Sequence, residues 1–207
     1  MLGRLSIIAF LLLTVSACSS PPQRTSTPTA NNAKAGGFTP LPKGDYTLAD
    51  THVFLQKDPR WKDHQLGGSG ESLESDGCLL TATAMTLANL GFQTNPADLN
   101  KRLKNANGYT KQGWLKWASI ADVTGGKAKA RFYTEVSDDI IQGCMADGFY
   151  PLARFELPNG RSHWGMILHR DARGYHMRDP LRPSKRPLIF PTDARGFKSV
   201  RCVGLAQ

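Results

Sequence analysis

The chain has 207 residues, 40% of them hydrophobic, with 26 Lys and Arg against 17 Asp and Glu, a formal charge of +9. Taking Arg4, Arg24, Lys34 and Lys43 out with the N-terminal segments leaves 22 basic against 17 acidic residues, a charge of +5 on residues 45–207. The basic residues are scattered, apart from RDPLRPSKRP at 178–187, which excludes a nucleic-acid binder built on one charged face and leaves only a weak preference for anionic envelope surfaces.

Residues 1–17 carry Arg4 and then the apolar run LSIIAFLLLTV. That run, about 11–14 apolar residues, falls short of the roughly 20 that span a bilayer, and it predicts a removed export signal. Val15-Ser16-Ala17-Cys18 resembles a bacterial lipobox. The resemblance implies acylation of Cys18, with Ser19 pointing to the outer membrane and the chain facing the periplasm, held by its acyl chains rather than by a spanning helix. Residues 18–44 are rich in Pro, Ser, Thr, Asn and Gly and predict a flexible tether, about 25–30 Å long as a random coil. Residues 45–207 fit a single domain, expected to be a monomer.

Within that domain TLADTHVFLQ reads as an extended lead-in, and KDPRWKDHQLGGSGE, with Pro59 and paired glycines, as a loop. From Cys78 to about Leu90 the apolar positions cover most of a helix surface, which predicts a buried central helix ended by Gly91. NPADLNKRL opens a second helix with Asn95 as cap and Pro96 in the first turn, and KQGWLKWASIADV spaces Trp114, Trp117 and Ile120 as one helical face. SDDIIQGCMADG starts a further helix on Ser137, with two aspartates toward its positive end. After Gly148 the period changes: FYPLARFEL, HWGMILHRD, GYHMRD, RPLIF and FKSVRCVGL are short, rich in β-branched and aromatic residues, and parted by turns. Helices first and strands second predict an α+β domain with an antiparallel sheet against a helical half.

Four cysteines need accounts. With Cys18 assigned to lipidation and the domain exported to an oxidising compartment, Cys144 and Cys202 are the expected disulfide. Cys78 is then the odd thiol, a candidate reactive residue. It stands at the start of the central helix, where unsatisfied N–H groups and the dipole favour a thiolate. A nucleophilic thiol also needs a base and a group to orient it. His163 opens one strand and Asp179 ends the next; if a hairpin through DARG joins them, the two residues are neighbours, with Asp179 fixing the imidazole tautomer. His169 shares the face of His163 by strand parity but lies about 20 Å along it. His176 reads as a strand residue, and His52 and His64 as loop or edge residues without partners. No C-x-x-C or H-x-x-x-H spacing occurs, so no metal and no cofactor are expected.

Gln56-Lys57-Asp58-Pro59-Arg60-Trp61, Leu66-Gly67, Asp76-Gly77-Cys78, Ala84-Met85, Pro96-Ala97-Asp98-Leu99-Asn100, Gly108-Tyr109, His163-Trp164 and Asp179-Pro180, in this order, resemble the stand-alone cousins of the bacteriocin-leader (double-glycine) peptidases. The resemblance covers roughly residues 52–203 and implies a papain-like cysteine peptidase fold. It implies Cys78 as nucleophile, His163 as general base, Asp179 as orienting residue and Gln56 as oxyanion donor, acting on a peptide or protein substrate. No G-x-x-x-x-G-K-[ST] occurs, so no ATP-driven export is implied. Two other readings are open: a different Cys-His amide chemistry on the same fold (deamidase, transglutaminase or cell-wall amidase), and a non-catalytic lipoprotein that binds a peptide.

Overall fold

The computed structural model describes residues 46–190 and 194–207; the signal segment, Cys18 and the tether to residue 44 lie outside the described residues. The described elements run β1 (Tyr46–Thr47), α1 (Leu73–Asp76), α2 (Cys78–Asn89), α3 (Pro96–Asn105), α4 (Ser119–Val123), β2 (Ala128–Phe132), α5 (Asp138–Ala146), β3 (Tyr150–Glu156), β4 (Ser162–Asp171), β5 (Gly174–Arg178), β6 (Leu188–Phe190) and β7 (Ser199–Leu205), with a 3₁₀ turn at Ala194–Gly196. The strands form one antiparallel sheet of order β2-β7-β3-β4-β5-β6, and β1 pairs with the far end of β4. The protein is therefore α+β.

Alternation along the strands divides the core in two. Leu152, Met166, Leu168 and Val203 meet Leu80, Ala84, Met85 and Leu87 of α2, together with Leu99 and Leu103 of α3. Ala153, Ile167, Tyr175, Val200 and Cys202 face the other way and meet Ile141, Cys144 and Met145 of α5. The sheet is thus packed on both faces, as its near-continuous apolar strands require. Cys144 and Cys202 form a disulfide on the α5 side, with Cα atoms 6.1 Å apart. No helix among the described residues is long and apolar enough to cross a membrane.

Caps fix the helix starts. Asn95 accepts from the Asp98 N–H and Ser137 from the Ile140 N–H, so α3 and α5 begin where a short polar side chain satisfies an otherwise orphaned donor. Two expectations are corrected. The Trp114–Ile120 segment is not one helix: α4 spans only Ser119–Val123, Trp114 is 70% exposed, and Tyr109 and Leu115 form an isolated bridge. Gly113 sets this, since its φ of +80° makes a turn and a Cβ there would lie 2.5 Å from Ser69 Oγ. Second, a strand intervenes among the helices: β2, whose AKARF gives little β-propensity, pairs with the final strand from Ala128↔Leu205 to Phe132↔Arg201. The lead-in begins with the strand Tyr46–Thr47 and is then tied to the end of α2, where Asn89 Oδ1 accepts from the Thr51 and His52 N–H groups and its Nδ2 donates to the His52 carbonyl.

Candidate active site

Cys78 owes its position to the junction of two helices. Ser72 caps α1, and Gly77 joins it to α2 by donating to the Leu73 carbonyl at 2.9 Å and accepting from the Thr81 N–H at 2.8 Å. A Cβ on Gly77 would sit 2.5 Å from the Leu73 oxygen, so only glycine allows this close approach. Nearly every later residue of α2 is buried, which leaves the helix no freedom to slide. Cys78 is half-buried at its first turn and is the free cysteine of the described residues.

In an uninterrupted helix the Cys78 N–H would donate to the carbonyl of Glu74. Here that carbonyl accepts from Gln56 Nε2 at 2.8 Å. Gln56 is 2% exposed, its Oε1 is buried without a hydrogen bond, and its own N–H donates to the Pro180 carbonyl at 2.8 Å. One residue thereby ties α1, just before Cys78, to the residue after Asp179.

His163 is 2% exposed and packs edge-on against Phe155, its cross-strand neighbour. The two-residue turn between Asp171 and Gly174 makes β4 and β5 a hairpin, with Met166 opposite Arg178, and this brings the start of β4 beside the end of β5. His163 Nε2 lies 2.6 Å from Asp179 Oδ1. A carboxylate only accepts, so Nε2 carries the proton and Nδ1 is left without it, while the Cys78 sulfur also acts on this ring. Burial alone would push the imidazole down; the Asp179 carboxylate, then the Cys78 sulfur, outweigh it and raise the histidine from 6.5 to about 9. For Asp179 burial pushes upward, but His163, the Leu181 N–H and the charge of Arg182 together hold the carboxyl below its usual 3.8.

Arg178, just before Asp179, is 7% exposed and forms a bidentate pair with Asp50, while its other nitrogen donates to the Ser184 carbonyl at 2.7 Å. This clamp fixes the loop on which Asp179 sits.

Cys78 opens onto a cleft of about 740 Å³ between the helical half and the sheet. Tyr109 and Trp117 line it on one side, and Trp164, Arg154 and Arg201 on the other. Tyr109 is locked by its hydroxyl, which donates to Asn100 Oδ1 at 2.8 Å, and its ring lies where a Gly67 Cβ would be, at 2.3 Å.

No protein-family model and no curated protein matches this chain. A solved structure from Bacillus anthracis, assigned as a C39-like peptidase, is similar to it at 13% identity and a TM-score of 0.48, over 79% of this chain and 98% of that one.

Of the residues singled out in the sequence, Cys78, His163, Asp179 and Gln56 come together here. His52 is exposed beside Thr51 and Asn89, and His64 is an exposed loop residue. Strand parity misplaces His169. A bulge leaves Leu168 without a partner between the pairs Ile167↔Met177 and His169↔His176, which turns His169 onto the opposite face from Ile167 and sets its ring centroid 4.8 Å from that of His176. The signal that could have revealed this is H-x-D at 169–171, ending directly at the turn, with a histidine returning on the partner strand.

Proposed function

We propose that the protein is an envelope-anchored cysteine peptidase, with Cys18 as its lipid anchor. What carries this reading is one arrangement: a buried imidazole held by a carboxylate at 2.6 Å and raised further by a helix-start thiol, at a cleft of about 740 Å³ that the thiol lines. His163 takes the Cys78 proton, and the thiolate sulfur bonds to the scissile carbonyl carbon. The Cys78 N–H and the second amide hydrogen of Gln56 hold the developing oxyanion, each such donor worth about 2.7–4 kcal/mol. The C–N bond breaks as the imidazolium gives its proton to the leaving amine. Water then attacks the thioester with His163 as base, which releases the acid and restores the thiol. Asp179 holds the ring in the required tautomer throughout. Arg154 and Arg201 have no carboxylate partner among the described residues, which favours peptides that bring one.

The deciding experiment is alkylation of Cys78 against pH, in the full chain and in His163→Ala, with Cys78→Ser as blank. The expected result is a thiol that reacts well below pH 8.5 and loses that reactivity in His163→Ala. A thiol that titrates near 8.5 and ignores His163→Ala overturns the reading.

A further inference from the structure

The β4–β5 hairpin carries a second cluster of chemistry at its turn end, away from the His163 end of β4. His169 and Asp171 lie on one face as i and i+2, and the bulge at Leu168 sets His176 directly across from His169. His169 Nε2, Asp171 and His176 Nε2 converge: both nitrogens approach Asp171 Oδ2, at 3.7 and 3.1 Å, and one ligand atom from each residue falls within 4.8 Å of the others.

Two details say what is missing between them. His169 Nδ1 lies 2.7 Å from the Tyr46 carbonyl, which can only accept, so Nδ1 carries the proton and Nε2 presents its lone pair to the cluster. Thr47 Oγ1, also 2.7 Å from Nδ1, shares that proton. His176 is 9% exposed, and its Nε2 is buried without a hydrogen bond although Asp171 Oδ2 lies 3.1 Å away. The ring and the carboxylate are close but not aligned on each other, as expected where both point at a third atom.

We propose that His169, Asp171 and His176 bind a first-row divalent cation of the zinc class, with water completing the shell. Two imidazoles and one carboxylate suit that class rather than Ca²⁺ or Mg²⁺. Ligand atoms about 2.0–2.1 Å from a tetrahedral ion stand about 3.4 Å apart; the two separations to Asp171, 3.7 and 3.1 Å, bracket that value, and all three ligand atoms lie within 4.8 Å of one another. The Tyr46 carbonyl supplies the outer hydrogen bond that orients a ligating histidine. Because Tyr46–Thr47 is β1, the ion ties the strand that leads out of the N-terminal segment to the hairpin. Arg173 also bonds Asp171 Oδ2, and with 67% of its side chain exposed it swings aside at little cost.

The test is titration of chelator-treated full chain with Zn²⁺ alone, by calorimetry and by thermal shift, and with Co²⁺ by visible absorption. The expected result is one ion per chain and a rise in Tm, with Cys78→Ser unchanged and His176→Ala weakened about tenfold or more. Should His176→Ala fail to fold, Asp171→Asn, which keeps the side-chain shape, is expected to show the same loss. The Co²⁺ spectrum is expected to lack a thiolate charge-transfer band. Absence of binding at millimolar Zn²⁺, binding lost in Cys78→Ser, or binding unchanged in both cluster variants overturns the site.

Discussion

At the scale of single residues, the chemistry turns on where the proton sits between Cys78, His163 and Asp179. His163 is raised to about 9, above its unfolded value of 6.5, so its interactions stabilise the fold fully below 6.5 and that contribution is lost as pH rises through about 9. Asp179 is held below 3.8, so its contribution is present above 3.8 and is lost as pH falls through the folded value. In the proposed reaction the same proton is the one given to the leaving group. We therefore expect kcat/KM on a peptide substrate to fall on the alkaline side with an apparent pKa near 9, and Asp179→Asn to bring that limb down toward 6.5 with little change in KM. A pH–rate profile of both proteins checks this; an alkaline limb that does not move in the variant dissociates Asp179 from the imidazole.

At the scale of elements, the Cys78 position depends on a glycine with no positive φ. Gly77 has φ −79°, which any residue adopts, yet a Cβ there would press on the Leu73 carbonyl at 2.5 Å and the Leu73 Cα at 2.8 Å. Gly77→Ala is expected to separate α1 from α2, at a cost of about 1–3 kcal/mol, and to lower Cys78 alkylation as well as Tm. Denaturation together with alkylation rates measures both, and an unchanged thiol in a destabilised fold refutes the link between junction and nucleophile. Other elements show what sequence could disclose. The helix over Cys78–Asn89 and the hairpin joining His163 to Asp179 were readable because burial and turn chemistry are local properties of the chain. Strand β2 was not, since AKARF is held by pairing with a strand at the other end of the sequence. The Trp114–Trp117 spacing misled for a related reason: these rings serve the cleft, where Trp117 meets Trp164 at 6.0 Å, so their spacing reflects a surface and not a helix period. The cluster at His169 stayed hidden because a single bulge reverses parity, and bulges leave no reliable mark in one sequence.

At the scale of the whole molecule, the net positive charge matters where it meets the cleft. Arg154 on β3 and Arg201 on β7 are near-neighbours across the sheet, since Leu152 pairs with Arg201 and Arg154 with Ser199. Arg201 is lowered by burial first and by the charge of Arg154 second, and its Nε is buried without a hydrogen bond. Two like charges kept together at partial burial, with hydroxyl and carbonyl groups as their hydrogen-bond partners among the described residues, destabilise the empty protein. A carboxylate in the cleft relieves that repulsion and accepts charge-assisted hydrogen bonds. Peptides carrying Asp or Glu near the scissile bond are therefore expected to show lower KM than their amide counterparts. Arg201→Met is expected to remove about 1–3 kcal/mol of that preference, raising KM for the acidic peptide about 5- to 150-fold while leaving the neutral one nearly unchanged. The acidic preference is also expected to weaken as salt is raised from low to physiological ionic strength, because the rim of the cleft is open to solvent. Equal KM for acidic and neutral peptides in the unaltered protein would remove charge from the determinants of specificity and leave the aromatic wall of Trp117 and Trp164 to select the substrate.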